Sequence, residues 1–177
     1  EHVHILRRGH VVAVQPGIES FSDGVLELMD KGCTGANQIQ FLKWIDESGI
    51  RATYNILLRN PGEKAEWYRE MEELLPFLSH LVPPNGVTTM HLERYSPYYT
   101  RSEAFGMSNV RPKPYYAWLY AGLTIDERVA YKFDYDHEML EDEELALAHR
   151  SFARKLQLWQ ATWQPRTLYF IDKGDHV

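Results

Sequence analysis

Cysteine is almost missing from this chain: Cys33 is the only one in 177 residues. That excludes an internal disulfide and any metal or iron–sulfur centre held by several thiolates. Beside Gly32, Cys33 reads as a small packing residue, because free cysteine is commonly buried. Long apolar runs are missing too. None approaches the roughly 20 residues that span a bilayer, so no membrane partner is expected. There is no excess of positive charge either; the net charge of −6 argues against a broad nucleic-acid footprint. The eight histidines include no His-x-x-x-His pair, and His2, His4 and His10 form only a loose group, so no metal site is expected. The start, Glu1-His2-Val3-His4, carries no signal-peptide pattern. It also lacks an initiating Met, which leads us to expect a piece of a longer protein. A reducing, cytoplasmic setting fits the cysteine content.

What is present suits an ordinary folded domain. Apolar residues make up 44% and charged residues 25%, enough for a core within a normal surface. Residues 1–9 read as a helix tail stopped by Gly9. Val11-Val12-Ala13-Val14 is a continuous apolar run, the pattern of a strand buried on both faces of a parallel sheet. Ser22 caps a helix carrying Val25, Leu26, Leu28 and Met29, with Lys31 in its last turn. Thr34 starts another, with Ile39, Leu42 and Ile45 at helical spacing. A strand follows over 51–58, then the turn Arg59-Asn60-Pro61-Gly62. A long helix comes next, with Trp67, Met71, Leu74, Leu75 and Leu78 on one side. A third strand covers 87–92. Beyond residue 93, a Tyr- and Pro-rich stretch to 122 reads as a long ordered loop with short helical pieces. Residues 129–135 alternate as a half-exposed antiparallel strand. A helix from about Asp142 carries Leu145, Ala148, Phe152, Leu156, Trp159 and Trp163. Thr167–Ile171 reads as a final strand pairing with 129–135. The fold class is therefore α/β: parallel strands near 11–16, 51–58 and 87–92 over residues 1–122, and an α+β extension over 123–177.

In α/β folds ligands sit outside the carboxyl ends of the strands. The first end offers Gln15, Gly17, Glu19 and Ser20, the second Asn55 and the turn Pro61-Gly62-Glu63, and the third Glu93, Arg94 and Ser96. A carboxylate such as Glu19 accepts two hydrogen bonds from a ribose diol, and Ser20 suits an amino or carboxylate group. Lys31 suits a ligand carboxylate, and Asn55 both donates and accepts. Gly17 and Gly62 let the backbone approach a ligand. Arg94 with Tyr95, Tyr98 and Tyr99 suits gripping a peptide or covering the site. Each residue also has a plain structural role. Glu19 and Ser20 can cap a helix, Lys31 can complement a helix dipole, Asn55 can satisfy buried backbone, and Arg94 can stack on aromatics.

The strings VQPGIESFSDGVLELMDKG, ATYNILLRNPGE, LPFLSHLVPPNGVTTMHLERYSPYY and EAFGMSNVRP together resemble the radical S-adenosylmethionine (SAM) superfamily. The closest likeness is to cobalamin-binding members that mature ribosomally made, modified peptides. The likeness is clear over residues 1–120 and loose beyond. It implies the C-terminal half of a partial (β/α)6 TIM-like barrel. It further implies that Glu19 meets the SAM ribose, Lys31 the methionine carboxylate, Asn55 a polar edge of SAM, and Pro61-Gly62 the adenine, with Gln15, Gly17 and Ser20 beside them. Arg94, Ser96 and Tyr98 fall on the substrate side. The family's chemistry is reductive SAM cleavage by a [4Fe-4S] cluster, giving a 5′-deoxyadenosyl radical; in the cobalamin branch a methyl group is often transferred to carbon.

This chain departs from the family twice. The Cys-x-x-x-Cys-x-x-Cys loop is absent, so cluster and cobalamin are expected only in a full-length protein. The turn usually written Gly-Phe-Pro-Gly-Glu reads Arg59-Asn60-Pro61-Gly62-Glu63 here. The resemblance therefore implies a C-terminal fragment that is not catalytic alone, with a peptide substrate. An alternative is a non-catalytic half-barrel binding module that pairs with a partner chain supplying the earlier strands. A third reading is a different α/β enzyme with Glu19 as general base, which no nucleophile or metal constellation supports.

Overall fold

The computed structural model describes residues 2–122, 128–165 and 168. Helix α1 (His2–Arg8) leads into a short strand, β1 (Ala13–Val14). Then come α2 (Asp23–Leu28), α3 (Gly35–Glu47), β2 (Arg51–Ala52), β3 (Asn55–Leu58) and α4 (Ala65–Leu74). β4 (Gly86–Thr89) closes this half. β1 pairs with β2 and β3 with β4, both in parallel. Hydrogen bonds extend these pairs. Thr53 N donates to Val14 O (3.0 Å) and Leu57 N to Glu19 O (2.8 Å) on one side; Asn85 N donates to Tyr54 O and Met90 N to Leu58 O (both 2.7 Å) on the other. The stretch 51–58 is thus the middle of a parallel layer, flanked by 13–19 and 85–90.

Alternation decides what each face meets. Ala52, Tyr54, Ile56 and Leu58 are buried, against α3, α4 and the long C-terminal helix. Arg51 and Asn55 point the other way and are exposed. Val12 is 75% exposed. The expectation of a strand buried on both faces over Val11–Val14 is therefore corrected: β1 is an edge, covered on one face only. No closed barrel forms among the described residues.

Local chemistry explains the helix starts. Thr34 and Asn37 form a reciprocal capping box at α3. Gly35 follows because a Cβ there would collide with the Phe21 carbonyl oxygen. Ser22 occupies the N-cap of α2, yet its hydroxyl makes no capping bond. Lys31 lies beyond α2, which ends at Leu28, and not in a last helical turn. On α4 the core position belongs to Tyr68, fully buried, while Trp67 packs over Gly24.

The second half is built around β5 (Leu92–Glu93), β6 (Ser108–Pro112) and β7 (Lys132–Asp136). They form an antiparallel sheet in the order β5-β7-β6. Strand β6 falls where the sequence suggests only loop; a bulge between Ser108 and Arg111 and a left-handed Asn109 (φ 50°) hide its alternation. Two short helices, α5 (Pro97–Thr100) and α6 (Tyr115–Leu119), lie between the strands. Met90, Leu92, Met107, Tyr116, Ala130 and Phe133 form a second core. β7 pairs with β5 on one side and β6 on the other. Helix α7 (Glu143–Thr162), capped by Asp142, then returns to pack on α4. The expected strand over 167–171 lies outside the described residues, apart from exposed Leu168. No helix among the described residues is long and apolar enough to cross a membrane.

Candidate functional site

Ile18 and Ser20 are buried, so Gly17 and Glu19 face away from the helical core. There Lys31 Nζ reaches back to Glu19 Oε1 at 3.4 Å and to the Gly17 carbonyl at 3.2 Å. Glu19 and Lys31 are each about 30% exposed at the side chain. A Cβ on residue 17 would sit 3.1 Å from Lys31 Nζ, so glycine makes room for the pair. Gly17, Glu19 and Lys31 thus come together as the sequence suggests, and exposed Gln15 lies just upstream.

Two other residues are placed differently. Ser20 is fully buried; its hydroxyl donates to Met71 Sδ (3.4 Å) and accepts from Ser22 N (3.1 Å), so it is not presented to a ligand. Asn55 begins β3 opposite Gly86, and so lies on the exposed face and not at the strand's carboxyl tip. The strand ends at Leu58, where the sequence suggests, so Asn55 stands three residues short of that end.

The true tip of β3 is the turn from Arg59 to Glu63. Arg59 has a left-handed backbone (φ 66°) and an exposed side chain. Pro61 is buried, and Gly62 (φ 89°) is exposed and packs against Leu28. Glu63 turns inward and holds the turn: it accepts from Arg59 N (2.9 Å) and Asn60 Nδ2 (2.6 Å). His149 Nε2 meets the same carboxylate at 3.0 Å. The His149 ring packs edge-on to Tyr68 at 4.4 Å between centroids. Among the described residues, Asn60 Oδ1 is buried with no hydrogen-bond partner, and the Tyr68 hydroxyl is buried beside the Glu63 carboxylate. Burial, then the Glu63 charge, holds the Tyr68 pKa well above that of an ordinary phenol. Sequence reasoning passed over His149. Its signal was a histidine at a core position of the α7 stripe, between Ala148 and Phe152.

Tyr98 donates to Leu28 O (3.3 Å) and packs on Phe105, tying α5 to the end of α2. Burial first, then Glu63 and Tyr135, pushes its pKa up to about 12. The Ser96 hydroxyl accepts from Tyr99 N (3.1 Å) as the cap of α5. Arg94 follows β5, and its Nη1 donates to Arg128 O at 3.0 Å.

Whether these residues fit the implied groups follows from their chemistry. A carboxylate beside an ammonium on an exposed strand face suits a zwitterionic ligand that exchanges partners with both. The residues do not fit a [4Fe-4S] cluster, because one cysteine cannot supply three thiolates. Among the described residues, no group of three or more His, Cys, Asp or Glu side chains is arranged to hold a metal. Compared with protein-family models, curated proteins and solved structures, the chain matches none.

Proposed function

We propose that this chain is the C-terminal portion of a radical SAM enzyme, cobalamin-dependent and acting in the maturation of ribosomally made peptides. Its parallel layer is read as the later half of a partial (β/α)6 barrel, holding part of a SAM pocket. No residue of this chain would hold the cluster; in a whole protein its thiolates would have to come from another segment, where it would supply the electron for 5′-deoxyadenosyl radical chemistry or C-methylation. This chain's own residues bind and orient: Glu19 takes the ribose diol, and Lys31 the methionine carboxylate. The observation that carries the reading is the Glu19–Lys31 pair beside Gly17 on the open strand face. A second supports it. Arg59, where the resembling turn usually has Gly, adopts the left-handed conformation that glycine takes at least cost.

Calorimetry with SAM tests it. Binding to the unmodified chain is expected, with at least a tenfold loss in Glu19→Ala. No binding, or binding indifferent to that substitution, overturns the reading.

A second reading keeps the fold and drops the chemistry: a non-catalytic half-barrel that pairs with a partner chain. The bare β1 margin at Val12 favours it. The coding sequence upstream of residue 1 separates the two readings. A cysteine triad there supports the enzyme; an unrelated segment supports the module.

A further inference from the structure

Arginine offers two parallel N–H bonds on its Nε/Nη2 edge, and this fork matches the two oxygens of a carboxylate. In Arg94 both atoms of that edge are buried and, among the described residues, have no hydrogen-bond partner. The opposite end is anchored: Nη1 donates to Arg128 O. The main chain is anchored as well, since Arg94 N donates to Tyr131 O at 2.7 Å. The guanidinium is therefore fixed in place with its best recognition edge unused. Among the described residues, the nearby acids are already engaged. Glu93 takes Lys132 (3.5 Å) and the Tyr131 hydroxyl (3.4 Å), and Asp134 takes Lys113. Charged donors left unpaired in a protein interior are costly and rare, and no described residue accepts from this edge, so it calls for a further acceptor.

The surroundings say how it enters. Phe133, 1% exposed, forms a fixed floor 5.9 Å from the guanidinium. On another side lies the Tyr95 ring at 6.0 Å, 79% exposed and free to swing outward. Tyr95 also holds a left-handed backbone (φ 69°), an unfavourable conformation that persists where the surroundings require it. The ring stays within 6.0 Å of the guanidinium carbon.

We propose that Arg94 is a carboxylate-binding residue that takes an acidic group of a peptide, with Tyr95 as its cover. Fork geometry gives the carboxylate. The peptide rests on the proposed function above, and exposed Trp118 and Tyr131 in the same half offer aromatic surface for its neighbouring residues. A net charge of −6 disfavours a doubly charged phosphate relative to a singly charged carboxylate.

Fluorescence anisotropy with short labelled peptides tests this. One carries a central glutamate and is blocked at both ends; a second has glutamine there and a free C-terminal carboxylate. A third has glutamine and both ends blocked, and a fourth replaces the glutamate by phosphoserine. The expected result is binding of the first or second peptide at least about tenfold tighter than the third. Which of the two binds tells a side-chain carboxylate from a chain terminus. Arg94→Lys, which keeps charge but loses the fork, is expected to remove that preference, so the two losses do not add. Equal binding of the first three peptides, no binding of any, or tighter binding of the phosphopeptide overturns the proposal. If Arg94→Lys fails to fold, the peptide comparison on the unmodified chain still decides. SAM calorimetry on the same sample separates the two ideas. SAM binding without carboxylate preference removes only this proposal, and carboxylate preference without SAM binding removes only the radical SAM reading.

Discussion

Arg59 pays a conformational penalty that its neighbours enforce. A left-handed backbone costs a non-glycine residue about 1–2 kcal/mol. Here the Glu63 carboxylate accepts the Arg59 amide, and Asn60 closes the same turn. Arg59→Gly relieves the strain but gives back some unfolded-state entropy. The expected net is a gain of about 0.5–1 kcal/mol, read as a raised midpoint in urea unfolding. Tyr98 sets a pH limit at the same scale. Its pKa stands at about 12 in the folded chain against 10.0 for a free phenol. Folding therefore keeps a proton that the unfolded chain releases. The stability this contributes is fully present below pH 10 and is lost as pH rises through 12. Tyr54 and Tyr68, raised further by burial, add to the same alkaline loss. Tyr98→Phe should thus flatten, without abolishing, the fall in urea stability over that range.

At the scale of elements, the Glu63–His149 contact couples the turn after β3 to α7, 86 residues away in sequence. His149→Ala leaves a buried carboxylate with one partner fewer and a gap beside Tyr68. A hydrogen bond to a charged group is worth about 1.5–3 kcal/mol, and a loss of that size is expected in urea unfolding. Amide exchange at Arg59 should quicken in the same variant more than exchange in β7, because the turn is what the pair holds. Several elements were legible beforehand. Thr34, Asp142, and the stripe Leu145, Ala148, Phe152, Leu156 and Trp159 mark α3 and α7 through spacing and caps. Strand β6 was not legible, since a bulge and a left-handed residue break its period. Tyr68 was passed over for Trp67 because both fall near one helical face, and only the approach of α7 selects between them.

For the whole molecule, the decisive feature is the uncovered side of the parallel layer. β1 bonds to β2 on one edge, and among the described residues nothing pairs its other edge. An unpaired strand edge with an exposed Val12 is a template for another chain. The isolated chain is expected to self-associate, and Val12→Lys to raise the concentration needed by about tenfold, measured by sedimentation velocity. A monomer at high concentration before any substitution would count against the half-barrel module. Of the candidate site, Gly17, Glu19 and Lys31 could be read from order along the chain, because a short turn and helix bring them back together. Ser20 and Asn55 could not. Their availability depends on which face and which end of a strand each occupies, and that is set by what packs against the strand.

The amino-acid order alone determined the alternation of strands and helices, the caps that start α3 and α7, and the lack of thiolates for a cluster. These follow from local sterics, hydrogen-bond chemistry and composition, which need no distant partner. Only the tertiary structure decided that Glu63 meets His149, that Ser20 is spent on Met71, and that Arg94 presents an unused fork. Each depends on segments far apart in the chain arriving at one place, and that is set by how the two cores pack.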